Sequence, residues 1–390
     1  MRSVGEAAGS RAAPGQNWPA LRAQGTITAS PRRTRPMLHA TALSALLCWL
    51  GCAALIVLGR RKHFGLDETH GVQKWHRHPT PRTGGFAMAM GMMVGMLWLM
   101  HLGYISAPDT GLIALAILPV LLAGIIEDLR RHVPPLWRAL ATVLAAALAV
   151  WLLGASVHRV GLWPVDAWLQ AWPVLGALIA LVAISAMPHA INMIDGYNGL
   201  AGTVSFMIFG AIGYVAFKVS DAQIMALSLA AIGALLGFLF WNWPRGQIFL
   251  GDTGAYLLGF WMALLSVLLV ARNPTVSPWF ALMVLMYPVW ELLYSLWRRK
   301  FRQRAGTAPD TLHLHHLVYW RLTRLLDHDD HPDPRQRRNA ATSPYLWAVA
   351  AFSAGPAMLW WNSTPLLMLC SAAFVTLYLL AYRLLVQRRI

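Results

Sequence analysis

Acidic residues are scarce in this chain: 390 residues hold only 16 Asp and Glu against 32 Lys and Arg, and charged residues are 12% of the total. Cysteine is scarcer still. Cys48, Cys52 and Cys370 all lie inside long apolar stretches, with no loop partner and no metal-ligand spacing. That excludes a disulfide framework and a thiolate metal centre. There is no P-loop, kinase signature or dinucleotide fingerprint, so the standard nucleotide-binding folds are excluded as well. No internal repeat is present. The largest polar loop, 298–342, is too short and too charged to build a core of its own. What dominates is apolar: 57% of the residues are hydrophobic.

Eleven stretches are long enough to cross a hydrocarbon core of about 30 Å: 38–58, 86–105, 110–126, 139–157, 171–190, 203–219, 222–240, 255–271, 277–297, 343–361 and 364–384. They are continuously apolar rather than alternating, which excludes a barrel. The expected fold is all-α, a polytopic integral membrane protein with about eleven transmembrane helices. Residues 37–390 form its single domain. One set of connections, together with the C-terminal end, holds 23 of the 32 Lys and Arg, while the opposite set holds only Arg159, Lys218 and Arg272. The positive-inside rule places the first set in the cytoplasm, with the N-terminus outside and the C-terminus inside. Residues 1–36 conflict with that orientation, because they carry six arginines. They are expected to be a disordered extension, with Met37 as the working start. Trp163, Trp168 and Trp172 fit the outer interface, where amphipathic rings settle.

The few acids gather at one surface. Glu127 and Asp128, Asp195, Asp252, Glu291 and Asp310 all fall at the ends of spans, or in loops, on the expected cytoplasmic side. Asp195 lies in Asn192-Met-Ile-Asp195-Gly196-Tyr-Asn198-Gly199-Leu-Ala-Gly202, and Asp252 in Gly251-Asp252-Thr253-Gly254. Glycine lets backbone approach a ligand closely, and an acid among glycines suits a metal or a phosphate. The first cytoplasmic loop supplies Lys74, Arg77 and Arg82, and its Pro and Gly residues make it extended and then turned. Arg can grip phosphate by two contacts. A later loop carries His313-Leu-His315-His316, which suits phosphate or uridine contact better than zinc. Carboxylates beside cations at a membrane surface fit phosphoryl transfer, which needs positioning and charge neutralisation rather than a Ser or Cys nucleophile. A transporter would carry ionisable groups at mid-span, where this chain has little beyond His101. A phosphatase acting on lipid diphosphates would hydrolyse without any need for UMP.

These motifs, in this order from about Leu38 to His316, resemble the polyprenyl-phosphate N-acetylhexosamine-1-phosphate transferases of glycosyltransferase family 4. The resemblance implies transfer of a sugar 1-phosphate from a UDP-sugar to undecaprenyl phosphate in the bacterial inner membrane, with release of UMP. It implies Mg²⁺, or Mn²⁺ in its place, held by Asp252 with Asp195 and Asn192. Glu127 and Asp128 would face the lipid phosphate. Lys74, Arg82, Asn192, Asn198, His313, His315 and His316 would hold substrate. Implied partners are the two substrates, the lipid bilayer and a second copy in a homodimer; no nucleic acid is implied. The sequence departs from the family's pattern with Glu at 127 for the usual Asp, Asn at 198 for a common Asp, and His at 189 where Asn is frequent. The spaced histidines and the eleventh span match the WecA-like branch, which starts O-antigen and related glycans. GlcNAc is the first expectation for the sugar.

Overall fold

The structure is a computed structural model that describes residues 31–62, 66–67, 79–130, 133–301, 312–325 and 334–387. Its helices are α1 (Pro31–Lys62), α2 (Gly84–His101), α3 (Ala107–Arg130), α4 (Pro135–Leu153), α5 (Trp163–Ala171), α6 (Pro173–Ile194) and α7 (Leu200–Lys218). They continue with α8 (Ala222–Asn242), α9 (Gly251–Arg272), α10 (Pro278–Val284), α11 (Met286–Phe301), α12 (Leu314–Leu325), α13 (Pro334–Leu359) and α14 (Thr364–Gln387). Two-residue strands β1 (Leu66–Asp67) and β2 (Thr80–Pro81) pair antiparallel and are the only strands among the described residues. The all-α class is borne out.

Among the described residues nine helices are long and apolar enough to span a membrane: α1 to α4, α6 to α9 and α14. The pair α10–α11 makes a tenth if its 72° bend lies within one span. The break has a local cause. Pro288, in the first turn of α11, has no N–H to offer the carbonyl of Val284, where α10 ends. The remaining expected span, 343–361, falls largely within α13. Arg335, Arg337 and Arg338 occupy its first turns, and it does not meet the same criterion. α1 begins at Pro31, so residues 31–36 are helical where an extension was expected.

Local signals set the helix ends. α4 starts on Pro135 and stops at Gly154 in the left-handed conformation. Asp221 caps α8 by accepting from the Ile224 N–H, and Ser277 caps α10 by accepting from the Trp279 N–H. α5 is a short helix whose three flanking or included tryptophans, Trp163, Trp168 and Trp172, are exposed. α9 occupies the centre of the bundle, with 94% of its most apolar window buried, against 22% for α14 and 28% for α1. The central helix therefore delivers its first residue, Gly251, into the interior of one end of the bundle. Every candidate site residue that the structure describes lies at that end.

Candidate functional site

α9 starts where three other segments press on it. Gly251 has φ +71, and a Cβ there would lie 2.1 Å from the Arg82 carbonyl oxygen. A Cβ on Gly85 would lie 2.0 Å from the Gly254 nitrogen, and one on Gly124 would lie 2.5 Å from the Thr253 Cα. Glycine is required at all three because backbone meets backbone. The Gly84 and Gly85 N–H groups donate to the Phe249 and Leu250 carbonyls at 3.0 and 2.8 Å, and the Phe249 N–H donates to the Pro81 carbonyl at 2.8 Å.

The exposed N–H groups at this helix start are taken by α3. Asp128 Oδ1 accepts from the Asp252 N–H at 2.8 Å, and Oδ2 accepts from the Thr253 N–H at 2.9 Å and the Thr253 hydroxyl at 2.6 Å. Asp128 is thus a remote cap, buried to 3% exposure. Its oxygens, expected to face an incoming phosphate, are engaged by the start of α9. Glu127, its neighbour, points elsewhere because successive helical residues diverge by about 100°. Its Oε2 accepts from the Val133 N–H at 2.8 Å, and its Oε1 lies 3.9 Å from Arg138 Nη1.

Asp252 is reached from three helix ends. Asn192 Nδ2, on the last turn of α6, donates to its Oδ1 at 2.6 Å. Arg82 Nη2, just ahead of α2, lies 3.7 Å from the same oxygen, and Arg138 Nη1 on α4 lies 3.5 Å from Oδ2. Arg138 therefore bridges Glu127 and Asp252, and its buried Nε has no hydrogen-bond partner. Behind this group, His189 Nε2 is 3.1 Å from the Thr142 hydroxyl, and its ring meets Tyr256 edge-on. Asp195 ends α6 and is half-buried. Loss of water pushes its carboxyl up to about 7; Arg82 opposes that shift, while Asp252 and Asp128 add to it.

The loop from Asp195 to Gly199 joins this acidic group to the histidines. His316 Nδ1 lies 3.0 Å from the Tyr197 hydroxyl, and His315 packs edge-on against the Tyr197 ring beside Gly196. His313 Nδ1 is 3.3 Å from Glu291 Oε1, which also accepts from the Leu314 N–H at 3.0 Å, while Tyr378 donates to Glu291 Oε2 at 2.5 Å. All three histidines, from which phosphate or nucleotide contact is expected, are buried at this loop. Burial, then the neighbouring His316, His313 and Arg298, holds the His315 imidazole well below its usual range.

Asn198 is buried too. Its Nδ2 donates to the Pro244 carbonyl at 3.3 Å and lodges at Gly246. The side chain, from which a substrate contact is expected, fastens one loop to another. Lys74 lies outside the described residues.

An apolar cavity of about 420 Å³ opens between α6, α9 and the α10–α11 bend. Ala186, Met187 and Ala190 line one wall, and Val267, Leu285 and Leu292 line the others. The lining extends from Ala190 at one end to Ser156, Arg159 and Val160 at the other. Arg138 escaped the sequence reading because one arginine just ahead of an apolar run looks like a topology signal.

Comparison with known proteins agrees with the resemblance drawn from the motifs. Residues 110–270 match the model of glycosyl transferase family 4. The chain is 26% identical over 249 residues to a probable undecaprenyl-phosphate N-acetylglucosaminyl 1-phosphate transferase of Bacillus subtilis, covering 63% of this chain and 67% of that protein. It is 26% identical over 291 residues to the undecaprenyl-phosphate alpha-N-acetylglucosaminyl 1-phosphate transferase of Salmonella typhi, covering 71% and 76%. It is also 26% identical over 239 residues to the phospho-N-acetylmuramoyl-pentapeptide-transferase of Lactobacillus helveticus, covering 59% and 72%.

Proposed function

Proceeding from a chain similar to glycosyl transferase family 4 across residues 110–270, we propose that it moves N-acetylhexosamine 1-phosphate, GlcNAc 1-phosphate first, from a UDP-sugar to undecaprenyl phosphate. The reading places it in a bacterial cytoplasmic membrane with the site facing the cytoplasm, starting a lipid-linked envelope glycan of the O-antigen kind. The observation that carries it is Asp252, buried at the start of the central helix and met there by Asn192, Arg82 and Arg138.

In the reaction an oxygen of the lipid phosphate bonds to the sugar-bearing phosphorus. The bond from that phosphorus to the bridging oxygen breaks, and UMP leaves with that oxygen and its electron pair. A phosphate with a second pKa near 6 is mostly a dianion at neutral pH, so the acceptor needs no strong base. Arg82 and Arg138 can trade their long contacts with Asp252 for phosphate oxygens, and Arg138 Nε is a further donor awaiting an acceptor. Glu127 keeps Arg138 at the site. The apolar cavity beside α6 suits isoprene units of the acceptor.

Mg²⁺ fits the donor set. Asp252, Asp195 and Asn192 offer hard oxygens, and three carboxylates (Glu127, Asp195 and Asp252) face two guanidiniums. Among the described residues no three His, Cys, Asp or Glu side chains form a ready-made metal site. That suits an ion held by one or two carboxylates and completed by substrate phosphates and water. When bound, Mg²⁺ or Mn²⁺ would neutralise the diphosphate and polarise its phosphorus.

The test is exchange of labelled UMP into UDP-GlcNAc by purified protein supplied with undecaprenyl phosphate and Mg²⁺. Label should appear only when lipid and metal are both present, and Asp252→Asn should slow it ~10²-fold or more, the scale of one lost electrostatic stabiliser. Hydrolysis of a lipid diphosphate without UMP dependence, or no exchange with any UDP-N-acetylhexosamine, would overturn the reading. Near-normal turnover by Asp252→Asn at limiting Mg²⁺ would remove Asp252 from the metal.

A further inference from the structure

α13 lies outside the stretch that matches the family model, and its first turns carry arginine, asparagine and serine where a membrane helix is ordinarily apolar. Those polar residues are not scattered. Asn339, Ser343 and Trp347 stand at i, i+4 and i+8, on one face of the helix. All three are spent on the loop that carries Asp195. Asn339 Oδ1 accepts from the Asn198 N–H at 2.9 Å, the Ser343 hydroxyl donates to the Asn198 carbonyl at 2.6 Å, and Trp347 Nε1 donates to the Gly199 carbonyl at 3.0 Å. The fourth backbone group, the Gly199 N–H, donates to Asn242 Oδ1 of α8 at 2.6 Å. Four successive backbone polar groups are therefore each met by a side chain, three of them from α13, and the Gly199 carbonyl also accepts from the Thr203 N–H at 3.1 Å as α7 begins.

The same face of α13 also grips the approach to Asp252. Trp243 Nε1 donates to the Ala340 carbonyl at 3.2 Å, and Gln336 Nε2 donates to the Arg245 carbonyl at 2.7 Å. Trp243 packs against both Gly199 and Trp347, and Asn242 Nδ2 donates to the Ile248 carbonyl at 2.8 Å. The loop ending in Gly199 and the segment leading into Gly251 are thus pinned to a single helix surface.

We propose that α13 is a strut that fixes Asp195 relative to Asp252, with Asn339 and Ser343 as positioning residues for the reaction proposed above. The inference deepens that reading and rests on it only for the kinetic part of its test. A buried carbonyl or N–H that loses its partner is costly, so each clamp selects one loop conformation rather than merely adding adhesion. Neither residue is within the acidic group, so their effect would pass through the position of Asp195. Turnover should suffer more than substrate affinity.

The experiment compares Asn339→Leu, which removes the acceptor, with Asn339→Asp, which keeps an oxygen there, in the full chain reconstituted in nanodiscs. Hydrogen–deuterium exchange of the 196–199 amides reads the clamp without reference to activity. Asn339→Leu should raise it about tenfold, as the loss of one net hydrogen bond would, and leave α9 amides as in the parent. In the UMP-dependent assay its kcat should fall by a similar factor, with KM for undecaprenyl phosphate within about twofold. Asn339→Asp should restore both protection and kcat. Should Asn339→Leu fail to fold, Ser343→Ala against Ser343→Thr makes the same comparison with one hydroxyl. Unchanged exchange at 196–199, or faster exchange that leaves kcat intact, overturns the strut. A parent protein that transfers no sugar phosphate defeats the proposed function, while the exchange comparison still decides the clamp.

Discussion

Asp252 and Asp195 share one end of the bundle and are held there by opposite means. Asp252 begins a helix whose backbone rests directly on other backbone: Gly85 on Gly254, Gly124 on Thr253 and Gly251 on Arg82. No rotamer can relax such contacts. Asp195 leads a loop held by an amide, a hydroxyl and an indole, contributed from more than 140 residues further along the chain. Each of those bonds is worth about 0.5–1.5 kcal/mol net and can break singly. The first region is held by shape, and the second bond by bond.

The comparison breaks most visibly at Gly85. A methyl there would meet the Gly254 nitrogen and Cα, at 2.0 and 2.4 Å, and neither neighbour is a side-chain tip that could swing away. Gly85→Ala should cost about 3 kcal/mol or more, the upper range of overpacking, seen as a large fall in melting temperature in detergent. Gly210, in α7, has nothing within 4 Å of its would-be Cβ, so Gly210→Ala should be close to neutral. A Gly85→Ala protein that melts with its parent would mean that α2 and α9 are not rigidly joined.

The softer region should respond less and more locally. In Asn198→Asp a carboxylate oxygen would replace the Nδ2 that donates to the Pro244 carbonyl, leaving two acceptors face to face in a buried position. The expected cost is about 1–3 kcal/mol, with amide exchange raised around Gly199 and unchanged in α9. From family resemblance alone this substitution looks harmless, because Asp is common at that position. Melting and exchange identical to the parent would support the resemblance against the geometry.

The sequence made the helices legible because an apolar run of about 20 residues has no satisfied alternative in a bilayer. It also made Asp252 legible, since glycines flank it within four residues. It was silent on what neighbouring residues touch. Glu127 and Asp128 are adjacent, yet helical geometry turns one toward Arg138 and the other onto the backbone of α9. The α13 clamps were not legible at all. Asn339 and Ser343 precede or open a moderately apolar run and carry no local pattern; only the fold brings them to Asn198. Arg138 was hidden for a related reason, because its meaning comes from Glu127 and Asp252 on two other helices.

The smallest effect expected is a pH dependence on the histidine side of the Asp195 loop. His315 is 2% exposed, its Nδ1 has no hydrogen-bond partner, and its pKa is depressed by burial first and then by His316, His313 and Arg298. In the unfolded chain the same imidazole titrates near its ordinary value of about 6.5. Between that value and the lower one in the fold, the unfolded state binds more protons, so stability rises with pH there and is lost as pH falls below 6.5. One such group gives a slope of at most about 1.4 kcal/mol per pH unit. His315→Gln removes the titration while keeping a polar side chain. Melting curves from pH 7.5 to 5.5 should therefore fall more steeply for the parent than for His315→Gln, by a few degrees at the acid end. Parallel curves would mean that His315 charges as easily in the fold as outside it. The histidine side of the loop would then be open to water, and the loop would depend on α13 alone.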